Sequence, residues 1–512
     1  MIELTVAEIA EIVGGTLSDI DPATAAATRV TGTAEFDSRA VTAGGLFLAL
    51  PGARVDGHDH AAAAVAAGAV AVLAARPVGV PAVIAAPVTG ESRSGALEHD
   101  RDGAGAAVLA ALALLAAEVA RRLAAGGLRI IGVTGSSGKT STKDLLAAVL
   151  APLGSVVAPP GSFNNELGHP WTVLRATTDT DFLVLELSAR HPGNIAALAD
   201  IARPDIGVVL NVGTAHLGEF GSRQAIAETK GELAAAVPPG GAVVLNVDDL
   251  AVAAMAERAV ARVVRVSRSA RADADLWAAD VVLDELARPR FTLHRADAPP
   301  VEVTLAVHGD HQVSNALCAA AVAFECGATG EQLATALAAA GPASARRMQV
   351  STRSDGVTVI NDAYNANPDS MAAGLKALAW MARQPDAGTP GARRAVAVLG
   401  EMGELGDDAI TEHDRIGRLA VRLDVARLIV VGKGRSMGAM FNGAVMEGSW
   451  GSEAVGVDDA DTALELLRSE LRPGDVVLVK ASNAAGLGAL AEALVADPDT
   501  GFGDGMGEDD RK

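Results

Sequence analysis

The sequence has few cysteines and few aromatic residues. Two of its 512 residues are cysteine, and aromatic side chains make up 3% of the chain. Cys318 and Cys326 lie in a helical pattern, which places their Cα atoms roughly 12 Å apart along the axis, whereas a disulfide needs less than about 7 Å. The scarcity excludes a disulfide-stabilised scaffold, and we expect two free thiols in a reducing compartment.

Positive charge is also scarce. The chain carries 42 Lys and Arg residues against 63 Asp and Glu, a formal net charge of −21. A surface of this charge repels phosphate backbones, so nucleic acid is excluded as a general partner, while a local nucleotide site remains possible. Part of the acidity lies in the tail at 497–512, which we predict to be disordered.

The sequence shows no apolar run long enough to cross a bilayer. The longest, 106–117, stops at Glu118 and is shorter than the roughly 20 residues that a membrane span needs. We therefore interpret it as part of a core helix. The N-terminus has no basic region followed by an apolar run. We expect a cytoplasmic protein without integral membrane association.

Short apolar runs that alternate with helical stretches divide the chain into three α/β units. We predict a small mixed α/β domain, a linker with a connecting helix, a central parallel-sheet domain, a Rossmann-like domain and the tail, at 1–87, 88–125, 126–341, 342–496 and 497–512. The predicted strands are 46–50, 70–73, 82–86, 130–133, 183–187, 206–212, 242–247, 357–360, 395–399, 428–431 and 476–479. Ligands of such sheets bind beyond the carboxyl ends of the strands.

The strongest local motif is a Gly-rich loop between a predicted strand and a predicted helix. It has the sequence G-V-T-G-S-S-G-K-T-S at 132–141, with Val133 where the standard phosphate loop has its first glycine. Its glycines let backbone N–H groups approach an anion, and the helix N-terminus adds positive potential. Lys139 is placed to contact phosphates and Thr140 to ligate Mg²⁺. The motif predicts a nucleoside triphosphate site in a P-loop ATPase-like domain and leaves the reaction open.

Three further blocks accompany the loop. They are F-N-N-E-L-G at 163–168, N-D-A-Y-N-A-N-P at 361–368 and L-G-E-M-G-E-L-G at 399–406. With the loop, they resemble the Mur ligases over nearly the whole chain, apart from 88–104 and the tail. The loop is common to all Mur ligases and to folylpolyglutamate synthases, whereas the last two blocks resemble those of the member that accepts a dipeptide.

The resemblance implies an ADP-forming carboxylate–amine ligase of peptidoglycan synthesis. It implies that ATP phosphorylates the terminal carboxylate of a UDP-N-acetylmuramoyl-tripeptide, and that the amine of D-alanyl-D-alanine then attacks the acyl phosphate. The third residue of the tripeptide, diaminopimelate or lysine, is left open. The first unit is then expected to bind the UDP moiety, and the central unit ATP.

The resemblance also implies which residues serve ATP and two Mg²⁺ ions. For ATP they are Gly135, Ser136, Ser137, Gly138, Lys139, Thr140, Ser141, Asn315, Arg347 and Asp362. For the metals they are Thr140, Glu186, His216 and Lys230, and the catalytic group is Lys139, Glu186, His216 and Lys230. Lys230 matches a carbamylated lysine, which offers the oxygen ligands that Mg²⁺ prefers. Its neighbours Glu228 and Glu232 are expected to raise its pKa, which opposes carbamylation of the neutral amine.

A third set of residues is implied for the other two substrates. For the UDP-linked peptide they are Ser38, Arg39, Asp56, His58, Asn164, Asn165 and Glu166, and for the acceptor Tyr364, Asn365 and Asn367. Two positions depart from the family pattern. Gln312 stands where Asn is usual, and Asn483 stands where Arg is usual and cannot supply a guanidinium fork.

Three other functions share part of this pattern. Another Mur-type or folylpolyglutamate-type ligase has the same loop, but the block at 361–368 argues against it. A P-loop NTPase that drives a conformational switch hydrolyses ATP without an amine acceptor. A non-enzymatic nucleotide-binding scaffold leaves Glu186, His216 and Lys230 without a role. We expect the dipeptide ligase, acting as a monomer.

Overall fold

Three β-sheets with helices packed on them follow one another along the chain in the computed structural model. The structure describes residues 1–52, 55–88, 100, 102–213, 217–269, 271–386, 389–449 and 451–496. The predicted α/β class is confirmed. The acidic tail at 497–512 and most of the segment 89–101 lie outside the described residues.

The first sheet is small and mixed. Its region contains β1 (Leu4–Thr5), α1 (Val6–Ile12), β2 (Thr16–Ser18), α2 (Pro22–Ala27), β3 (Arg29–Val30), β4 (Ala34–Glu35), β5 (Gly45–Leu48), α3 (Ala61–Ala66), β6 (Ala69–Ala74) and β7 (Ala82–Ile84). Five strands lie in the order β2-β7-β6-β5-β4, and β2 alone among them pairs antiparallel within the described chain. The apolar runs predicted as strands are β5, β6 and β7.

A long helix, α4 (Ala104–Ala125, 22 residues), connects this sheet to the next. By length and composition it is the one helix among the described residues that is apolar enough to cross a membrane. Its apolar side is buried in a core that also contains residues of the first and second sheets. The helix extends beyond the predicted apolar run, and its burial identifies it as a core helix.

The second sheet has nine strands. Its region contains β8 (Arg129–Thr134), α5 (Lys139–Leu150), β9 (Val156–Val157), α6 (Gly168–Val173), β10 (Phe182–Glu186), α7 (Asn194–Ile201), β11 (Ile206–Val209), α8 (Leu217–Phe220), α9 (Arg223–Ala236), β12 (Ala242–Asn246), α10 (Leu250–Ala253), β13 (Arg262–Ser267), β14 (Leu276–Leu283), β15 (Pro289–Arg295), β16 (Ala298–Thr304), α11 (Gln312–Glu325) and α12 (Gly330–Ala339).

The order of these strands, β16-β15-β14-β13-β12-β11-β8-β10-β9, places β8 between β10 and β11. The strands from β9 to β14 pair in parallel, and their carboxyl ends therefore share one edge. The runs predicted as parallel strands are confirmed as β8, β10, β11 and β12, whereas β9 and β13 were not predicted. The antiparallel extension β14-β15-β16 was not predicted, because its strands alternate apolar and polar residues with no continuous apolar run. Both cysteines are free, as expected, with Cys318 buried in α11.

The third sheet completes the chain. Its region contains β17 (Gln349–Thr352), β18 (Thr358–Asn361), α13 (Pro368–Arg383), β19 (Pro385–Asp386), β20 (Thr389–Ala392), β21 (Ala395–Leu399), α14 (Ala409–Arg422), β22 (Arg427–Val431), α15 (Arg435–Glu447), β23 (Ala454–Val457), α16 (Ala460–Glu470), β24 (Val476–Lys480) and α17 (Leu487–Ala496). The order is β17-β18-β24-β21-β22-β23, parallel except for β17. The four predicted strands of this unit are confirmed as β18, β21, β22 and β24.

Candidate active site

The Gly-rich loop lies at the carboxyl edge of the second sheet, between β8 and α5. Gly138 has a φ of +81°, and a Cβ at this position would lie 2.7 Å from Oδ1 of Asn315. The site therefore needs glycine for both its conformation and its space. The Lys139 Nζ donates a hydrogen bond to the Gly135 carbonyl over 2.7 Å. Burial lowers the pKa of Lys139, which Glu186 partly offsets.

Asn211, just beyond β11, holds this loop in place. Its Oδ1 accepts from the Ser137 N–H at 2.9 Å, and its Nδ2 donates to the Ser137 carbonyl at 3.1 Å. Its own carbonyl accepts from the Ser136 N–H. Sequence reasoning missed this residue. Its position after a predicted strand was the available signal, but the loop that it contacts lies far away in the sequence.

A buried carboxylate with oxygen neighbours lies beside the loop. The Oε2 of Glu186, at the end of β10, accepts hydrogen bonds of 3.2–3.3 Å from Thr140, Ser162 and Asn164. Its Oε1 is buried and has no partner among the described residues. Burial raises the pKa of Glu186, and the nearby Lys139 partly offsets this rise. The oxygen-rich set fits Mg²⁺, and Ser162 is a member that the sequence did not predict.

Lys230 lies within α9 and is buried, with 4% of its surface exposed. Burial lowers its pKa well below the ordinary value, and the charge of Lys139 lowers it further. The expectation that Glu228 and Glu232 raise this pKa was wrong. Glu232 accepts from the N–H groups of Gly193 and Ala196 at the start of α7, and its charge is not among the influences on Lys230. His216 lies outside the described residues.

The segment between α12 and β17 carries Arg347 into the site. The Nη2 of Arg347 lies 3.4 Å from the Thr140 hydroxyl, and its guanidinium carbon is 4.4 Å from the ring centre of Tyr364. The residues on either side, Arg346 and Met348, have φ angles of +58° and +47°. Arg346 points away and pairs with Glu492. The structure thus brings Arg347, and not its neighbour, to the loop.

Asp362, after β18, is held by a lysine that was not predicted as a site residue. The Nζ of Lys480, at the end of β24, lies 2.6 Å from Oδ2 of Asp362, and the N–H of Met348 donates to Oδ1. Burial lowers the pKa of Lys480, while Asp362 partly restores it. The available signal was the motif K-A-S-N at 480–483, which begins with this lysine and departs from the family pattern at Asn483.

A cavity of about 680 Å³ lies between the second and third sheets on one side of the loop. Its lining includes Ser137, Gly138, Ser141, Asn315, Arg347 and Asp362 from the predicted ATP contacts, with Lys480 and His311 besides. Gln312 is buried and accepts a hydrogen bond from the Asn315 amide at 2.8 Å. The Gln312 side chain therefore orients Asn315 toward the cavity.

A second cavity, of about 500 Å³, lies on the other side of the loop. It is lined by the loop residues Ser136 to Ser141 and by the predicted substrate residues Asn164, Asn165, Glu166, Tyr364, Asn365 and Asn367. Asn367 also caps α13 and contacts the Ser136 carbonyl at 3.4 Å. Both cavities share Ser137, Gly138, Ser141, Arg347 and Ser370, so two ligands can meet there.

Four predicted substrate residues of the first domain line neither cavity, namely Ser38, Arg39, Asp56 and His58. Arg39 is exposed and pairs with Asp37, and Ser38 lies between them. Asp56 accepts from Nδ1 of His58, whose Nε2 accepts from the Ala75 N–H, so both nitrogens of this histidine hold local structure. The structure does not bring these four side chains to the phosphate loop.

Comparison with known proteins agrees with this architecture. Three family models match, described as Mur ligase family, catalytic domain at 34–115, Mur ligase middle domain at 133–323, and Mur ligase, glutamate ligase domain at 346–483. A protein of Mycobacterium tuberculosis (strain ATCC 25618 / H37Rv) is 72% identical over 98% of this chain and 99% of its own length.

The chain belongs to the Mur ligase family. The Mycobacterium protein is named UDP-N-acetylmuramoyl-tripeptide–D-alanyl-D-alanine ligase. An Escherichia coli (strain K12) protein of the same name is 32% identical to this Mur ligase over 96% of the chain and 99% of its own length.

Solved Mur ligase structures also resemble it. A crystal structure of MurF from Acinetobacter baumannii superposes with a TM-score of 0.79 at 27% identity, covering 97% of this chain and 99% of that one. MurF ligase from Thermotoga maritima, crystallised with ADP, has a TM-score of 0.72 at 27% identity and covers 92% and 98%.

Proposed function

We propose that this Mur ligase joins D-alanyl-D-alanine to a UDP-N-acetylmuramoyl-tripeptide, with conversion of ATP to ADP and phosphate. The product is the UDP-N-acetylmuramoyl-pentapeptide of peptidoglycan synthesis. The names of the full-length relatives support this substrate pair, and the ADP complex of a structural neighbour supports the nucleotide. The single observation that carries the proposal is the pair of cavities that meet at the phosphate loop.

The larger cavity accounts for the nucleotide. A base near Asn315 and a ribose near Asp362 place the triphosphate along the loop, where backbone N–H groups, Lys139 and Arg347 converge. On binding, the phosphates replace the Gly135 carbonyl as the partner of the Lys139 ammonium. The γ-phosphate then points into the smaller cavity, because the two cavities join at the loop.

The smaller cavity accounts for the other two substrates. Asn164, Asn165 and Glu166 hold the peptide end of the UDP substrate, and Tyr364, Asn365 and Asn367 shape the acceptor side. The peptide carboxylate attacks the γ-phosphorus and releases ADP. The dipeptide amine attacks the resulting acyl carbon, forms the C–N bond and releases phosphate. The chain contributes by alignment and by cations that offset negative charge.

Mg²⁺ fits one part of this site. Thr140 and Glu186 would hold the ion, with Ser162 and Asn164 around them. The Oε1 of Glu186, which has no hydrogen-bond partner among the described residues, is the oxygen available to bind the ion. When bound, the ion neutralises charge on the phosphate oxygens.

For a second Mg²⁺ we propose carbamylated Lys230, together with His216. The buried amine favours the neutral form that reacts with CO₂, and the carbamate replaces a cation by oxygen ligands. We test this with Lys230→Ala, which should lose most of its turnover and regain part of it when a short-chain acid is added to the buffer. Full turnover in this variant, or an unmodified Lys230 side chain in a well-resolved metal-bound structure, contradicts the assignment.

The first domain is proposed to hold the UDP moiety through Ser38, Arg39, Asp56 and His58. An aromatic cluster connects it to the substrate cavity, since Phe36 packs with Phe163 and Trp171 beside Asn164. The proposed boundaries are 1–87, 126–341 and 342–496, and the proposed setting is a cytoplasmic monomer without membrane attachment.

Release of ADP tests the reaction. We expect turnover with ATP, the UDP-tripeptide and D-alanyl-D-alanine together, and only slow leakage when the dipeptide is omitted, as water attacks the acyl phosphate. Equal turnover with single D-alanine contradicts the choice of acceptor. Equal turnover without any amine indicates an ATPase instead of a ligase.

A further inference from the structure

The substrate cavity contains an ion pair that the proposed chemistry has not used. Arg190, in the loop between β10 and α7, points its Nη2 at Oε1 of Glu404, at a distance of 2.9 Å. Glu404 follows β21 in the third sheet, so the pair joins two domains across the cavity that both residues line. Glu219 lies 3.8 Å from the same guanidinium.

The backbone around Glu404 is held in an unusual conformation. Its φ is +64°, in the left-handed region that a non-glycine residue adopts only when its surroundings impose it. The Gly403 N–H donates to the Ser482 hydroxyl at 2.8 Å, and the Met402 N–H donates to Nε2 of the buried His413 at 2.9 Å. These contacts fix the direction in which the Glu404 carboxylate projects.

The other cations of this cavity already have positions suited to phosphate. Lys139 lies on the loop itself, and Arg347 lies 3.4 Å from Thr140 with its guanidinium against Tyr364. Arg190 also lines this cavity, and its guanidinium is paired with Glu404. Its side chain is 41% exposed and that of Glu404 37%, and an ion pair of such exposure costs little to exchange for ligand charges.

We propose that Arg190 and Glu404 bind the two charged ends of the acceptor dipeptide, with Arg190 taking its carboxylate and Glu404 its ammonium. The inference rests on the proposed function, because it assumes that the acceptor is a zwitterion. In the free protein the two side chains form an ion pair with each other. The dipeptide exchanges that contact for two of its own, which orients its amine toward the phosphate loop and selects against acceptors that lack a free carboxylate.

The test compares D-alanyl-D-alanine with D-alanyl-D-alaninamide, which keeps the amine and loses the carboxylate charge. We expect the kcat/KM of the wild type to be roughly ten- to hundredfold higher for the dipeptide with the free carboxylate. This factor corresponds to the free energy of one hydrogen bond between charged groups. In Arg190→Gln this preference should fall below about threefold, while Arg190→Lys should restore part of it. Glu404→Gln should raise KM for both dipeptides and leave KM for ATP unchanged.

A matched control is Arg422→Gln, which removes an exposed ion pair with Glu447, 2.7 Å long, outside both cavities. It should keep the wild-type preference. Thermal melts of all variants identify any that fail to fold, and Arg190→Lys then carries the comparison.

Hydroxylamine separates this inference from the proposed function. It is a small neutral nucleophile that converts an acyl phosphate to a hydroxamate. It has neither the carboxylate nor the ammonium that Arg190 and Glu404 are proposed to bind. Hydroxamate formation with ATP and the UDP-tripeptide supports the ligase reaction, and its absence in the wild type overturns the proposed function. An unchanged carboxylate preference in Arg190→Gln contradicts the proposal that Arg190 and Glu404 bind the dipeptide. So does an Arg190→Gln variant in which only KM for the UDP-tripeptide changes.

Discussion

The second sheet meets its two neighbours through junctions of opposite character. Its junction with the first sheet is apolar: α4 and both sheets share one buried core, and Phe36 packs on Phe163 and Trp171. Its junction with the third sheet is mainly polar: Asn367 reaches Ser136, Arg347 reaches Thr140, and Arg190 pairs with Glu404. The cores of the third sheet are almost entirely its own.

This difference assigns different tasks to the two junctions. Buried apolar surface gives stability and resists separation, because opening it exposes that surface to water. Polar contacts contribute a smaller net free energy, because groups that separate can form hydrogen bonds with water instead. The apolar junction therefore keeps two domains together, while the polar one can close and open around substrates.

The largest effect on stability is expected from a substitution at the apolar junction. Trp171 is buried, packs 4.6 Å from the Phe163 ring and donates its indole N–H to the Ala34 carbonyl. Trp171→Ala should lower the free energy of unfolding by about 3–5 kcal/mol. Trp380→Ala is the matched control, because Trp380 is 37% exposed and also donates to a backbone oxygen, that of Asp284. Urea unfolding of both variants gives the comparison, and equal losses contradict it.

At the polar junction the expected loss is in activity. Lys139→Ala removes the cation that we propose contacts the phosphates, and turnover should fall by about a thousandfold, on the order of 4 kcal/mol in the barrier. The Lys139 side chain is half-buried, and the melting temperature should change little because its loss removes little core packing. Lys433→Ala, at an exposed lysine paired with Asp458, is the control. Near-normal turnover contradicts the role of the loop.

A wedge at the polar junction should have a smaller effect. A Cβ on Gly218 would lie 2.6 Å from the backbone nitrogen of Gly406, across the two domains. Gly218→Val should hold the domains apart and lower kcat/KM by roughly ten- to hundredfold, because a displacement of about 1 Å is enough for such a loss. Gly456→Val, where a Cβ meets nothing, is the control.

Scattering provides the structural readout for the wedge. The wild type should become more compact when all ligands are bound, and Gly218→Val should not. An unchanged radius of gyration in the fully liganded wild type contradicts closure.

The smallest expected effect concerns the buried amine beside the loop. Burial lowers the pKa of Lys230 below its ordinary 10.5, so below that pH the unfolded chain binds this proton more tightly than the folded protein. The resulting loss of stability is present at neutral pH and disappears as pH rises through 10.5. Lys230→Met should therefore raise stability at pH 7, by on the order of 0.5–2 kcal/mol. This gain should shrink towards pH 10 in CO₂-free buffer, and a gain that grows with pH contradicts the assignment.

Local pattern was sufficient for much of the fold. The parallel strands that were predicted are continuous apolar runs, because both faces of each are buried. The partly exposed parallel strands β13 and β23 were not predicted. The predicted helix after the phosphate loop is confirmed at Lys139–Leu150. The antiparallel strands β15 and β16 escaped prediction, because half-exposed strands lack such runs. In the site, Glu186 was predicted from its motif at the end of a strand, and the structure places it beside the phosphate loop.

Residues whose task depends on a distant partner could not be found in this way. Asn211 contacts Ser137, and Lys480 contacts Asp362, across long separations in sequence that only the packing of strands closes. The burial that lowers the pKa of Lys230 is also a tertiary property, and local sequence alone suggested the opposite direction from the neighbouring Glu228 and Glu232.

The sequence by itself determined the three α/β units, the phosphate loop and the family resemblance, because these depend on apolar periodicity and on short motifs whose chemistry is local. Only the tertiary structure decided that the loop separates two cavities, that Arg347 enters the site while Arg346 turns away, and that Arg190 faces Glu404. The physical reason is that these relations join the carboxyl edges of two separate sheets, and the distance between those edges is set by the packing of whole domains.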